Sequence, residues 1–188
     1  HTAVGPYVTK NNGEVDPSVY HLPHLTVFQH DIVRGWRKEY AGADCILADI
    51  AWKNGYEKFV KGTSAEHVPY QIYLNGMLAV IRELKVPTFI LSGHQAALMM
   101  KAPRLHQISF VFHNDSKADF GVWNYEGDLP FKTEIEAREW VCGRFDRIVD
   151  FCCGYWILAK TIIAHGKHGV FSDICMDCIR YIREEYAQ

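Results

Sequence analysis

The 188-residue sequence has no excess of either charge: 20 Lys and Arg stand against 22 Asp and Glu, a formal net charge of −2. With no global basic field, charge permits a nucleic-acid partner but does not announce one. The short basic runs RGWRK (34–38) and KAPR (101–104) read as solvated surface. No apolar run approaches the roughly 20 residues that a membrane helix needs, so no membrane partner is expected. The opening stretch HTAVGPYVTKNNGEVDPSVYHLPHL lacks the basic and apolar regions of a secretory leader. Six cysteines do not make a disulfide scaffold at this length, and they sit inside apparent strands and helices such as DCILAD and DFCCGY. Reduced thiols and a cytoplasmic location are therefore expected. Cys175 and Cys178 form a CxxC with no second CxxC or spaced His pair to complete four ligands, so no metal is expected there. Small buried residues at a helix start are the simpler account of the pair. Internal repeats, low-complexity segments and a GxGxxG turn are also absent.

What is present is the balance of an ordinary globular chain, 48% hydrophobic and 22% charged, long enough for one domain with a full core. Residues 1–24 carry Gly, Pro, Asn and His without periodicity, which predicts an irregular arm before a single domain over 25–188. LTVFQHDI (25–32) reads as a strand with His30 and Asp31 at its tip, and VRGWRKEYAG as a short helix or turn closed by Gly42. ADCILADIAW (43–52) is a continuous apolar run of the kind found in a strand buried on both faces, with Asp49 at its carboxyl end. KNGYEKFVKGTSAEHVP (53–69) reads as a long loop, a candidate substrate lid carrying Lys53, Lys58 and Lys61 beside Tyr56 and Phe59, or else plain solvated loop.

Helical spacing follows over 70–85, up to the residue pair before Pro87. After it come a strand (PTFILSG), a short helix (HQAALMM), two strands that pair within 105–127, and a helix (KTEIEAREWVCGRF). The stretch VDFCCGYWILAKTIIAHGKHGVFSDICMDC (149–178) then reads as strand, glycine turn, helix and strand, before a last helix. Alternating strands and helices with one antiparallel pair predict a three-layer, Rossmann-like α/β fold around a mostly parallel sheet.

In such a sheet, ligands bind beyond the carboxyl ends of the strands, near the point where strand order reverses. Asp49, Asp150 and Asp173 all stand at such ends. Asp150 precedes the Gly154 turn, where a missing side chain lets backbone approach a ligand, and Asp173 follows 23 residues later. That is close to the spacing at which an acid reaches a ribose diol in dinucleotide folds. The Gly-poor CCGYW leaves little room for a pyrophosphate, which argues against NAD, and it also fits a purely structural strand-to-helix turn. Asp49 followed by Trp52 can grip a flat, amine-bearing ring, the carboxylate accepting from the amine while the indole stacks on the face. The carbonyls of Ile50 and Ala51 could share that amine. The same pair also fits a cap beside core.

Taken in order, ADIAW early, then PTFILSG, the paired ISFVFHN, and VDFCCGY…FSDI late, the chain resembles the S-adenosylmethionine-dependent exocyclic-amino (adenine or cytosine) nucleic-acid methyltransferases with permuted, β-class-like motif order. In them the catalytic D/N-P-P-Y/W/F segment precedes the cofactor motif D-x-F-x-G-x-G. The resemblance runs from about Leu25 onward and implies a methyltransferase fold with S-adenosylmethionine as cofactor. It places Asp49 and Trp52 at the amine-binding acid and the stacking aromatic. It places Asp150, Phe151, Gly154 and Asp173 at the methionine-side and ribose-side cofactor positions, and Asp31 near the adenine. The helix FKTEIEAREWV sits where the family has a segment that helps close the cofactor pocket.

Two departures mark this chain: Ile50 and Ala51 replace both prolines of the catalytic motif, and Trp156 stands where the family usually has glycine. The implied activity is methylation of an exocyclic amine of a nucleobase in DNA or RNA. A base in a duplex would have to be flipped out, and with no stretch left for target recognition, a partner subunit, a homo-oligomer or an accessible substrate is implied. The departures keep two alternatives open: a catalytically inactive methyltransferase-like binding protein or partner subunit, and an enzyme of this fold that uses the cofactor or a derivative for other chemistry.

Overall fold

The computed structural model describes residues 18–61, 67–109, 117–154 and 158–188. Among these described residues eight strands form one sheet: β1 (Val19–His21), β2 (Leu25–Gln29), β3 (Cys45–Asp49), β4 (Thr88–Ser92), β5 (Arg104–Ser109), β6 (Lys117–Trp123), β7 (Arg147–Asp150) and β8 (His168–Asp173). Among the same residues six α-helices accompany them: α1 (Lys53–Val60), α2 (Tyr70–Leu84), α3 (His94–Met99), α4 (Glu134–Cys142), α5 (Leu158–Ala164) and α6 (Met176–Glu185). The sheet order is β1-β2-β8-β7-β3-β4-β6-β5. From β2 through β8, β7 and β3 to β4 all pairings are parallel, while β1 and the β6–β5 pair run antiparallel at the two ends. The fold is thus a three-layer, Rossmann-like α/β domain with the expected antiparallel pair.

The apolar runs become central strands because helices cover both faces. Side chains alternate sides along a strand, so Cys45 and Leu47 join a core with Val141, Leu158, Ile162 and Ile179 of α4, α5 and α6. Ile46 and Ala48 join the opposite core with Tyr73, Leu74, Met77 and Ile81 of α2. Hydropathy without alternation is the mark of strands buried in this way.

Two segments differ from the sequence reading. The described end of the 1–24 arm contributes β1, which pairs antiparallel with β2 through Val19↔Phe28, Tyr20↔Val27 and His21↔Thr26; residues 1–17 lie outside the described residues. The stretch read as a loop over 53–69 begins with helix α1, in which Lys53 and Lys58 are exposed while Tyr56 is buried at 3% exposure. Tyr56 is therefore core and not part of a lid. The side chain of Phe59 and residues 62–66 lie outside the described residues.

The chain leaves the sheet centre in opposite directions from β7 and from β3. From β7 it passes through α5 to β8 on one side, and from β3 through α1 and α2 to β4 on the other. A crevice opens at such a reversal, outside the carboxyl ends of the two strands. β3 and β7 are neighbours through Cys45↔Ile148 and Ile46↔Val149, although about a hundred residues separate them.

Candidate functional site

Four aspartates stand along the carboxyl edge of β2, β8, β7 and β3. Asp31, two residues beyond β2, caps a 3-10 turn over Ile32–Arg34, its Oδ1 accepting from the Val33 N–H at 3.1 Å. The His30 N–H donates to the Asp173 carbonyl at 3.0 Å, which ties the ends of β2 and β8 together. The His30 ring is buried and bonds through Nε2 to the Gly35 carbonyl at 2.8 Å; burial pulls its pKa below the ordinary value.

Asp173 ends β8 and is 6% exposed. Its Oδ2 accepts from the Gly154 N–H at 2.9 Å and its Oδ1 from the Cys175 N–H at 2.8 Å. Burial raises this carboxyl to about 6, against the lowering effect of those amides. The carboxylate therefore fastens the glycine turn to the end of β8, where the sequence suggested a group held open for a ribose diol. Gly154 has φ 47°, in the left-handed region, so the turn uses its conformational freedom. The neighbouring Trp156 lies outside the described residues.

Asp150 ends β7 with no exposure at all. Its Oδ1 accepts from the Cys152 N–H at 3.0 Å, while Oδ2 is buried with no hydrogen-bond partner among the described residues. Burial pushes this carboxyl well above the usual range, and the nearby Asp49 and Asp173 push it further. An acceptor in that state is completed by a donor, and best by a cationic one such as an ammonium group. Phe151, next in the chain, is 1% exposed and packs in the core on the α2 side, so only its backbone is placed to face a ligand.

Asp49 ends β3 in register with Leu91 of β4 and is partly buried. Burial, with the Glu134 carboxylate adding to it, raises its pKa to about 7. Trp52 follows at 39% exposure, and a Cβ built on Gly93 would lie 3.6 Å from its ring, so the indole rests on the backbone that follows β4. The structure thus brings Asp49, Trp52, Asp150, Gly154 and Asp173 to adjacent ends of parallel strands, and it sets Asp31 at the next strand outward.

Sequence reasoning missed a second group. Glu134 and Arg138 lie one turn apart on α4, 3% and 4% exposed, and both couple electrostatically to Asp49. The Glu134 Oε2 is buried without a hydrogen-bond partner among the described residues. Their signal was available: Glu134, Ala137, Arg138 and Val141 share one helical face, and two charges on an otherwise apolar stripe mark a buried polar site. At the β4 end, His94 Nδ1 meets Asp119 Oδ2 at 2.8 Å beside Ser92, a contact made by strand pairing that no local motif encodes. Among the described residues no cluster of three or more His, Cys, Asp or Glu is arranged to hold a metal ion, and all six cysteines are free.

No family model matches the chain, and no curated protein matches it by sequence. Solved structures do resemble it. M1.HpyAVI superposes with a TM-score of 0.57 over 87% of this chain and 100% of its own, at 9% identity. The complex of that protein with SAM gives 0.56 over 86% and 99%, at 7% identity. TTHA0409 from Thermus thermophilus, which carries the assignment of DNA modification methylase, was solved with S-adenosyl-L-methionine and gives 0.56 over 88% and 93%, at 10% identity. The chain has the fold of these proteins. At such identity the likeness concerns architecture, and the role of each side chain rests on the geometry above.

Proposed function

We propose that the chain is an S-adenosylmethionine-dependent methyltransferase acting on an exocyclic amine of a nucleobase, in DNA or RNA. The observation that carries this reading is the juxtaposition of its two motifs. The Asp49–Trp52 segment and the Asp150–Gly154 turn, about a hundred residues apart, end on neighbouring parallel strands at the reversal of the sheet. The motif order, with the proposed acceptor segment before the proposed cofactor turn, supports the reading through its resemblance to methyltransferases of permuted arrangement. Two of the structural neighbours are solved with the same cofactor.

The residues present suit that cofactor. The buried, unpartnered Oδ2 of Asp150 matches the ammonium of a methionine moiety, the Gly154 turn admits close backbone approach, and Asp173 holds that turn in place. Asp31 is assigned to the adenine side. Asp173 reaches the ribose only with acceptor capacity left over from its backbone bonds. The cofactor supplies an electrophilic methyl group on sulfonium. Displacement by an amine needs alignment and exclusion of water above all.

Asp49 accepts the hydrogens of the acceptor amine, which draws density onto its nitrogen and offsets the positive charge that develops there. Trp52 stacks on the base that carries the amine. The six free thiols suit a reducing compartment, and we place the chain in the cytoplasm. Among the described residues no helix is long and apolar enough to cross a membrane. Target recognition is assigned to a partner subunit, a second copy, or the accessibility of the base itself.

The test is transfer of labelled methyl from S-adenosylmethionine to single- and double-stranded oligonucleotides, with the modified base identified by mass. N-methylated adenine or cytosine is expected from the wild type, and none from Asp49→Ala. Label on a ring carbon, or equal transfer by Asp49→Ala, overturns the reading.

A further inference from the structure

The segment after Asp49 lacks both prolines of the related catalytic motif, yet its backbone is held at each step. The Ile50 N–H donates to the Leu91 carbonyl at 3.2 Å. The Ala51 carbonyl accepts from the Tyr70 hydroxyl at 2.7 Å, and the Ala51 N–H donates to the Tyr73 hydroxyl oxygen at 3.3 Å. Both polar groups of one residue are thus taken by two tyrosines near the start of α2.

Those tyrosines are themselves fixed. Their rings lie 5.7 Å apart at 27°, and Tyr56 of α1 stacks on Tyr73 at 4.6 Å and 27°. The Tyr56 hydroxyl donates to the Val68 carbonyl at 3.0 Å, anchoring the cluster to the segment just before α2. All three tyrosines are buried, at 3 to 7% exposure. A buried tyrosine hydroxyl requires a partner, and a core of this kind could have been built from phenylalanine without that requirement. The hydroxyls of Tyr70 and Tyr73 are spent on Ala51.

The Tyr73 hydroxyl also hydrogen-bonds Cys152 Sγ at 3.5 Å, with either group able to donate, on the turn that follows Asp150. One side chain therefore joins the acceptor segment to the cofactor turn.

We infer that Tyr70 and Tyr73 are positioning residues that clamp Ala51 and thereby hold the Ile50 carbonyl, Asp49 and Trp52 in register with the cofactor turn. They supply the stiffness that prolines give the related motif. Since Tyr70 occupies the Ala51 carbonyl, the Ile50 carbonyl is the one assigned to the second amine hydrogen. The inference rests on the methyltransferase reading for its catalytic consequence, but the clamp itself can be observed without turnover.

The test combines Tyr70→Phe and Tyr73→Phe, which keep the ring packing and remove only the hydroxyls, with two readouts. Steady-state methyl transfer should show kcat lowered about 10- to 100-fold, the scale of a misaligned donor and acceptor, at unchanged KM for S-adenosylmethionine. Amide exchange at Ala51 should be slow in the wild type and faster in Tyr73→Phe, with β4 amides unaffected. Wild-type kcat in both variants, or unchanged exchange at Ala51 in Tyr73→Phe, overturns the inference. A rise in KM that matches a fall in melting temperature also overturns it, by revealing a merely structural role. Absence of transfer by the wild type sinks the enzyme reading instead, and the exchange readout still decides whether the clamp exists.

Discussion

At the scale of single residues, the site is a row of carboxyl groups drawn out of water. Asp49 is the most consequential, because the acceptor role proposed for it is strongest in the charged form, and burial has moved its pKa to about 7. The rate of methyl transfer should accordingly rise as pH rises through about 7. Stability runs the other way. The folded state holds a proton on Asp49 that the unfolded chain, with a carboxyl near 3.9, releases. Stability is therefore lost as pH rises from about 4 to about 7 and is flat above. Urea unfolding at pH 5 and pH 8 should show a smaller difference in Asp49→Asn than in the wild type; an equal difference would remove Asp49 as its source.

Asp173 gives a second residue-scale prediction. Replacing it by Asn puts an NH2 group against either the Gly154 or the Cys175 N–H, so one of two bonds must fail. A charge-assisted hydrogen bond of this kind contributes about 1.5–3 kcal/mol, and cofactor affinity should fall by roughly tenfold or more. Affinity equal to the wild type would show that the turn does not depend on Asp173.

These aspartates could be found in the sequence because each follows a short apolar run, where a strand must end at the edge of the sheet. The tyrosine hydroxyls on Ala51 could not be. Tyr70 and Tyr73 read simply as apolar members of a helix, and their partner lies about twenty residues away with no local signal.

At the scale of elements, helix α2 positions both halves of the crevice. Its Tyr70 and Tyr73 hold Ala51, and one turn on, Gly76 receives the 3-10 turn that Asp31 caps. A Cβ built on Gly76 would lie 2.0 Å from the Ile32 carbonyl oxygen and 3.0 Å from the Val33 Cα, both backbone atoms that cannot simply rotate away. Ala is favoured over Gly inside a helix by about 1 kcal/mol, and forced overpacking costs about 1–3 kcal/mol. The contact here is far inside van der Waals distance, so the overpacking wins. Gly76→Ala should lower the urea midpoint and weaken cofactor binding through displacement of the Asp31 turn; a stabilised variant would mean that α2 and the turn do not meet as described.

Helix α1 shows why element type was partly hidden. KNGYEKFV carries Gly, Asn and two Lys, the composition of a loop, and it becomes helical because Tyr56 and Val60 pack under α2. Tertiary packing overrides propensity there. Helix α4 was visible as a helix, and its Thr133 cap accepts from the Glu136 N–H as a capping residue should. The burial of Glu134 and Arg138 depended on α4 lying against β3, which local pattern does not specify.

At the scale of the whole molecule, the order of the strands turns separate motifs into one crevice. Periodicity predicted the parallel sheet and the antiparallel pair, because strands buried on both faces are apolar throughout. Which strands become neighbours is a property of the connections, and the pairing of β3 with β7 is the one that matters, since it sets the Asp49–Trp52 segment, proposed to bind the amine, beside the Asp150–Gly154 turn, proposed to bind the cofactor. Under the proposed function both segments would face a methyl donor bound between them.

Calorimetric titration with S-adenosylmethionine, and with S-adenosylhomocysteine as its product, tests that reading directly. Saturable one-to-one binding of both is expected, weakened by Asp173→Asn and left nearly intact by Asp49→Ala. No heat at high micromolar ligand, or equal loss in the two variants, would contradict it.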